Sequence, residues 1–426
     1  MPYSQNVDFV GSHDLDGRPA FKLAIQEIND RFYLFTGSLW HSGWSVLDVT
    51  DPTDPQLIRW LEGPPNTWTI QIQVAGHRML TALEHVAPGW GDTTVEDLPQ
   101  ASEGLILWDV STPTEPSRIG QWQSGSSGTH RNYFDGSDMA YIATARPGFD
   151  GHILGCLDLS VPMRPELVGS WWWPGQHTQA GEKLSVHDIR AASSGRPFES
   201  GGQLHYSMSL HGAAYPGRDG LLYCPWSRAG LVILDASNPA DPQMVGHLPV
   251  SPPLGSSIAV HSAVPIEGTS LVVINSEALR ENRAEPVNFI GVVDVSEPAN
   301  PILVSLFPSP LEPAGYPTTF ASRGGRFGPH NQHQPQGHPA LMPFDGYIYT
   351  SYFNAGLQIF DLRDHMTPQV AGYYIPDDPA ARFGPLPETL VTQVEDVIVD
   401  RRGFVYFSEK NSGITIVRFD RASHEA

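Results

Sequence analysis

Cysteine is almost absent from this chain: Cys156 and Cys224 are the only two in 426 residues. Two cysteines are too few for a disulfide framework, and there is no C-x-x-C motif of the kind that binds metals or carries redox chemistry. No run of about 18 apolar residues occurs, which argues against a membrane-spanning helix. The N-terminal sequence lacks the basic and apolar regions of a secretory signal, so we predict a cytoplasmic protein.

Basic residues are scarce as well. The chain has 25 lysines and arginines against 46 aspartates and glutamates, which gives a formal net charge of −21. A surface with this charge repels phosphate backbones and anionic lipids. We therefore expect a small molecule as the partner, and neither nucleic acid nor a membrane. No pattern in the sequence indicates an oligomeric state.

Long amphipathic helical patterns are missing too, whereas glycine (41) and proline (39) are abundant. That composition suits short strands joined by tight turns, so we predict an all-β fold. One phrase recurs along the chain: an apolar strand, an aspartate, a proline-containing turn and a second strand, as in GLVILDASNPADPQMVG at 230–246. The copies that share the aspartate place it at Asp48, Asp109, Asp158, Asp235, Asp294 and Asp361.

A seventh copy, GITIVRFD, carries Arg418 in place of the aspartate. With the strand-like segments upstream of each phrase, the unit has about four strands, and seven such units predict a single seven-bladed β-propeller of four-stranded antiparallel blades over residues 1–426. We expect each aspartate to cap its turn by accepting backbone N–H groups, and the prolines to set the bend. The phrase resembles the LVIVD repeat family. This resemblance implies the propeller fold and leaves the activity open.

The two ends of the chain are predicted to meet. After the seventh copy only RASHEA remains, so blade 7 lacks its outermost strand and would expose an open sheet edge. Residues 5–12 have no blade of their own, and we predict that they supply this strand. Insertions interrupt the repeat at 89–103, 193–218, 276–288 and 308–342. In a propeller such segments emerge on the two faces, where they often build a ligand site.

Histidines occur at corresponding positions of successive repeats. The segments expected to form the innermost strands contain His130 in blade 3, His187 in blade 4, His261 in blade 5 and His330 in blade 6, with Glu395 in blade 7. Innermost strands line the central channel, so these side chains should converge on its axis. Neutral imidazoles are common metal ligands, and we predict that the four histidines bind a divalent metal ion (Zn, Mn or Fe).

Blade 4 leaves an alternative open, because His211 also has the right spacing to the next strand. We assign His211, Glu395 and His333 as the candidate catalytic residues beside the metal. The other interpretation of the whole set is structural: the histidines of VHD-type phrases would then tie neighbouring strands together by hydrogen bonds.

Three functions follow from these patterns. The first is a metal-dependent lyase or hydrolase, in which the ion polarises an oxygen of a small organic substrate. The HNQHQ segment at 330–334 is similar to the metal site of oligogalacturonate lyases. The second is an Fe(II)-dependent dioxygenase, since histidines from four blades look like the arrangement in carotenoid-cleavage oxygenases. The third is a non-catalytic scaffold that binds a partner protein. Arg146, Arg323 and Arg326 are the cationic candidates for contacting a substrate carboxylate.

Overall fold

The computed structural model describes most of the chain. Outside its description lie residues 1, 88–89, 91–100, 190–197, 201–202, 206–207, 218–219, 252, 255, 286, 335–338 and 426, together with the side chains of 198–200 and 203–205. Much of the insertions predicted at 89–103 and 193–218 therefore lies outside the described residues.

The described strands form a ring of seven antiparallel blades, which confirms the predicted fold class. From the channel outward, the strands of blade 1 are Ala20–Ile28, Arg31–Ser38, Gly43–Asp48 and Gln56–Glu62. Those of blade 2 are Ile72–Ala75, Arg78–His85, Gly104–Asp109 and Ser117–Trp122. Those of blade 3 are Thr129–Phe134, Met139–Ala145, His152–Asp158 and Glu166–Trp171. The strands of blade 4 are Tyr215–Pro216, Leu221–Trp226, Gly230–Asp235 and Gln243–Leu248. Those of blade 5 are Ile258–Pro265, Leu271–Glu277, Ile290–Asp294 and Ile302–Leu306.

Blades 6 and 7 are completed by the N-terminus. Blade 6 contains Tyr347–Ser351, Leu357–Asp361 and Gln369–Ile375, and Tyr3–Gln5 pairs with its outer edge. Blade 7 contains Val394–Val399, Phe404–Glu409 and Gly413–Phe419, and Val7–His13 pairs with its outer edge. The channel position of blade 6 is filled by an irregular segment, in which His330 and His333 donate backbone N–H bonds to Ser351 and Tyr349. Val7–His13 is the predicted closing strand, two residues shorter at its start than the segment 5–12 and one longer at its end.

The remaining elements are short. They are the strand Thr67–Trp68, the hairpin Phe198–Ser200 with Gln203–His205, the 3₁₀ turns Leu15–Gly17 and Thr178–Ala180, and the helix Arg421–Glu425. In the described part of the chain, no helix has the length and apolar character needed to cross a bilayer. Both cysteines are free and buried, and burial raises the pKa of the Cys156 thiol to about 12.

The apolar core lies between the blades. Seven clusters of buried residues each join two successive blades, and the cluster containing Leu23 and Ile416 joins blade 1 to blade 7. The blades are therefore held together by burial of both sheet faces, as expected for strands with near-continuous apolar sequences.

The repeated aspartate acts as predicted. In all six copies its Oδ1 accepts the backbone N–H of the residue two positions later, at 2.7 to 3.0 Å. Hydrogen bonds from the side chain and the backbone N–H of that residue together hold the pKa of the six carboxyls below the ordinary value. They also tighten the turn that carries the first proline of the phrase.

That turn packs against the preceding blade at the glycine that ends the phrase. A Cβ atom on Gly246 would lie 1.9 Å from the carbonyl oxygen of Pro298 in blade 5, and one on Gly169 would lie 2.0 Å from that of Pro239 in blade 4. At the junction of blades 5 and 6 the glycine is replaced by Ser305, whose hydroxyl donates to the carbonyl of His365 at 2.6 Å. The glycine is therefore needed because the backbone of the next blade occupies the space of its side chain.

Gly246→Ala should therefore destabilise the protein by about 2 kcal/mol or more, because the added methyl group must push blades 4 and 5 apart. Urea unfolding measures the loss. The control is Met244→Ala on the same strand, where the side chain is 51% exposed and a change within about 0.5 kcal/mol is expected. Equal effects of the two substitutions would contradict the proposed contact.

Deletion of residues 2–13 should lower the melting temperature by roughly 10 °C or more, because Gly413–Phe419 is left as an open edge. The control deletion of residues 2–5 removes only the edge strand Tyr3–Gln5, which lies outside three complete strands of blade 6, and should have a smaller effect. Similar melting temperatures for the two truncated proteins would show that Val7–His13 does not close the ring.

Candidate functional site

The central channel opens at one end into a pocket of about 480 Å³. Each of the four insertions contributes to the lining of this pocket. The contributing residues are Trp90 from 89–103, His211 from 193–218, Leu279 from 276–288 and Arg326 from 308–342. The prediction that the insertions build a site is therefore consistent with where they lie in the fold. The other lining residues are Phe21, Leu39, Trp68, Ile70, Glu84, Ala87, His130, Arg131, His152, Ile258, Glu277, His330 and Leu386.

Irregular pairing in the innermost strands points polar side chains into the channel. The register between the first two strands shifts at Thr129/Asn132 in blade 3, at Ile258/Ser262 in blade 5 and at Val394/Asp396 in blade 7. His130, His261 and Glu395 lie at these bulges. A bulge turns a side chain that regular pairing would place elsewhere, and such bulges are frequent beside functional sites.

Four imidazoles follow one another across the channel. The ring centroids are 4.7 Å apart for His130 and His211, 5.0 Å for His211 and His261, and 4.7 Å for His261 and His330. A fifth ring, that of His152, stacks on His130 at 5.6 Å. The structure thus brings together three of the four predicted metal-binding histidines, His130, His261 and His330.

The structure corrects the assignment in blade 4, where His211 and not His187 lies in the channel. His187 is exposed, in a helical turn at 186–189. The sequence spacing was misleading because the channel strand of blade 4, Tyr215–Pro216, is very short and lies near the end of the segment 193–218 that the sequence presented as an insertion. The chain reaches the channel just before that strand, at His211, whose backbone N–H bonds the carbonyl of Pro225.

Glu277, at the end of the second strand of blade 5, lies beside three of the channel histidines. Its Oε2 lies 3.1 Å from His211 Nε2 and 3.5 Å from His261 Nε2, and its Oε1 lies 3.5 Å from His330 Nε2. Burial by itself would raise the pKa of Glu277, but the surrounding imidazoles hold it well below the usual range. Glu277 therefore carries a negative charge among uncharged rings.

Burial favours the neutral form of three of the channel histidines. Burial lowers the pKa of His211 to about 3 and lowers those of His261 and His330 as well, because a charged imidazole loses its hydration in the channel. His261 is fully buried, and its Nδ1 lies 2.7 Å from Ser262 Oγ, whereas its Nε2 has no hydrogen-bond partner among the residues that the structure describes. An unpaired ring nitrogen in a buried site is costly, and a metal ion would relieve that cost.

His211, His261 and Glu277 form the set best suited to hold an ion, with one ligand atom from each lying within 4.8 Å of the others. His330 is less available, since Arg131 Nη2 lies 3.0 Å from its Nε2 and Glu395 lies 3.1 Å from its Nδ1. Two neutral imidazoles and a carboxylate suit Zn²⁺ and other divalent transition metals.

Glu395 is buried as predicted but is fully engaged by cationic groups. Arg326 donates to it at 3.1 Å and Lys410 at 2.8 Å, and His330 lies beside it. Burial alone would raise the pKa of Glu395, but Lys410 and Arg326 hold it far below the usual range, and burial in turn lowers the pKa of Lys410 to about 8. Glu395 is therefore suited to positioning His330 rather than to exchanging protons.

His333 faces away from the pocket. Its Nε2 lies 2.7 Å from the carbonyl of Met342, and its Nδ1 accepts the N–H of Val399. Both nitrogens are thus occupied by backbone groups between blades 6 and 7. This arrangement is the structural role that the sequence offered as an alternative, and it removes His333 from the candidate catalytic set.

A second carboxylate, Glu84, orients two histidines at the side of the pocket. Its oxygens lie 2.6 Å from His130 Nδ1 and 3.1 Å from His152 Nε2. Burial works to raise the pKa of Glu84, but His130 and His152 bring it down to about 2. An ionised Glu84 favours the proton on Nδ1 of His130 and leaves the lone pair on Nε2.

Below the histidines, a hydrogen-bonded layer crosses the channel. Lys22 from blade 1 donates to Asp396 of blade 7 at 3.0 Å and to Gln334 at 3.2 Å, and Gln334 also accepts from the hydroxyl of Tyr215 in blade 4. All four side chains are buried. This layer therefore links blades 1, 4 and 7 across the channel.

The sequence did not point to Glu84, Glu277, Arg131 or His152. A signal for the glutamates was nevertheless present. The second strands of blades 2 and 5 contain TALEH and VINSE, in which Glu84 and Glu277 each lie six residues after the residue that pairs with the repeated aspartate. Such a buried acidic residue needs a partner, and the neighbouring channel strands supply it.

The chain carries LVIVD repeats, as the sequence predicted: the LVIVD repeat family model matches residues 222–249 and 287–307, in blades 4 and 5. No curated protein matches the chain. The Pseudomonas aeruginosa periplasmic gluconolactonase PpgL is similar in structure, with a TM-score of 0.55, 10% identity and coverage of 91% of this chain and 99% of that one.

The β-propeller domain of Cps50 (Swd1) from Myceliophteria thermophila is similar to the same degree. Its TM-score is 0.53 at 12% identity, and 94% of this chain and 96% of that chain are covered. At such identities the likeness shows the fold alone, so the activity has to be argued from the channel.

Glu395→Gln should destabilise the protein by about 3 kcal/mol or more, because Arg326 and Lys410 would then share a buried site with too little negative charge. Urea unfolding tests this. The control is Glu27→Gln, which breaks the ion pair with the half-exposed Arg401 and should cost less than about 1 kcal/mol. A Glu395 variant as stable as the control would contradict the ion-pair network.

Proposed function

We propose that the protein is a metal-dependent enzyme that acts on a small organic substrate in the central channel, with redox-neutral lyase or hydrolase chemistry. The observation that carries this proposal is the buried set of His211, His261 and Glu277 beside the pocket. Three protein ligands with room for a substrate are typical of catalytic metal sites.

The donors fit a divalent ion such as Zn, Mn or Fe. The two imidazoles are neutral, Glu277 is ionised, and the Nε2 of His261 has no other partner. When bound, such an ion supplies Lewis acidity that polarises a carbonyl or hydroxyl oxygen.

The chain itself supplies a proton acceptor. His130 lines the pocket next to His211, and Glu84 holds its Nδ1 at 2.6 Å. With the proton on Nδ1, the Nε2 lone pair can accept a proton from a substrate or a water molecule, as a general base must. Glu84 would then stabilise the imidazolium. His130 thus accepts the proton, and Glu84 compensates the positive charge that results.

An Fe(II)-dependent oxygenase is the second candidate. Two histidines and one carboxylate with open positions are also the ligand set of many non-haem iron oxygenases. The four-histidine version of this alternative is less well supported, since the Nε2 of His330 lies 3.0 Å from Arg131. The scaffold alternative does not account for the neutral histidines and the unpaired nitrogen in the channel.

Elemental analysis tests both proposals. Purified protein, and protein dialysed against a chelator and then given Zn, Mn or Fe(II), should contain about one divalent ion per chain. His261→Ala should lose this ion, because it removes the nitrogen without another partner. The matched control is His187→Ala, which removes an exposed histidine outside the channel and should retain the ion. Circular dichroism confirms that both variants are folded.

The absence of stoichiometric metal under all of these conditions would overturn the proposal and favour the scaffold. Retention of the ion in a folded His261→Ala variant would exclude the site described above. Iron binding with substrate-dependent oxygen uptake would favour the oxygenase over the redox-neutral enzyme.

A further inference from the structure

Arg131 is a buried cation in the pocket wall that forms no ion pair with a carboxylate of the described residues. It follows His130 on the innermost strand of blade 3 and is only 5% exposed. Its Nη1 donates to Asn331 at 2.8 Å and its Nη2 lies 3.0 Å from the neutral His330, whereas its Nε has no hydrogen-bond partner. Glu277 and Asp396 attract the guanidinium from a longer distance, but its hydrogen bonds are to neutral groups, and a buried cation without a paired anion is costly.

Arg326, a second buried arginine of the pocket, differs from Arg131 because it has carboxylate partners. Arg326 lines the same pocket and donates to both Glu277 and Glu395 at 3.1 Å. Among the described residues Arg131 makes no such ion pair. The free-energy cost of burying Arg131 is explained if its guanidinium binds a ligand, because an anion that enters the pocket would supply the missing partner.

The charge balance of the channel points the same way. Four cationic side chains, Lys22, Arg131, Arg326 and Lys410, face four ionised or ion-paired carboxylates, Glu84, Glu277, Glu395 and Asp396. A fifth carboxyl, Glu409, has its pKa raised to about 7 by burial. A divalent ion would leave the channel with excess positive charge, which an anionic ligand compensates.

The rest of the pocket is apolar. Its lining includes Phe21, Leu39, Trp68, Ile70, Trp90, Ile258, Leu279 and Leu386. A highly hydrated inorganic anion gains little from such walls, whereas an organic acid can bury an aromatic or aliphatic body against them.

We infer that the pocket binds a small organic monocarboxylate with an aromatic or aliphatic body, and that Arg131 binds its carboxylate. As a statement about the substrate class, this inference rests on the proposed function. The guanidinium offers N–H groups in a planar fork that matches a carboxylate. The bound acid would then lie between Arg131 and the set of His211, His261 and Glu277.

Isothermal titration calorimetry with benzoate and benzamide tests the inference, because the two probes have the same ring and differ in charge. Metal-loaded and chelator-treated protein are both titrated. The wild-type protein should bind benzoate at least about ten-fold more tightly than benzamide in both forms. Arg131→Met should remove this preference and leave the weaker benzamide binding unchanged. Arg118→Met, at an exposed arginine on the outermost strand of blade 2, is the matched control and should retain the preference.

Arg131→Lys carries the test if the methionine variant does not fold. Lysine keeps the charge without the paired N–H groups, so benzoate should bind several-fold more weakly than to the wild type, with benzamide unchanged. Equal affinities of the wild type for the two probes, no binding of either, or an undiminished benzoate preference in a folded Arg131 variant would overturn the inference.

The metal content of the same samples separates the two proposals. Protein without a stoichiometric ion that still shows Arg131-dependent benzoate binding would leave the carboxylate site standing while the metal-dependent function fails. Metal-loaded protein without a benzoate preference would overturn only the carboxylate site.

Discussion

Closure of the ring is the constraint on which the channel depends. The pairing of Val7–His13 with Gly413–Phe419 joins the ends of the chain and brings blade 1 against blade 7. Only then does Asp396 of blade 7 receive the Lys22 ammonium and the backbone N–H of Leu23 from blade 1. These bonds form the layer that ends the pocket, so the ring and the polar interior stabilise each other.

Burial then determines the chemistry of the channel. Without bulk water, imidazoles lose their charge, while carboxylates remain ionised only where imidazoles or cationic side chains surround them. This is why the histidines are available as neutral ligands and why Glu277 and Glu84 remain anions beside them. Arg131 is the exception, since it is charged and buried with only neutral hydrogen-bond partners. Ligand recognition is the role that this imbalance best explains.

Much of the fold could be predicted because it rests on local rules repeated seven times. The aspartate caps, the proline turns and the apolar strands each appear as short patterns, and the closing strand follows from counting the strands. The channel position of His130, His261 and Glu395 followed from the same register. In blade 4 the method failed, because the insertion shifts the chain relative to a two-residue channel strand and puts His211 where His187 was expected.

The sequence by itself determined the number of blades, the turn chemistry and the channel positions of His130 and His261 on innermost strands, since each depends on neighbours along the chain or on strict repetition. Only the tertiary structure decided which atoms meet. Glu277 reaches His211, Arg131 reaches His330 across 199 residues, and His333 turns to the backbone of Met342. Such encounters depend on bulges, on insertion paths and on competition between partners in a crowded, water-poor channel. None of these leaves a regular spacing in the sequence.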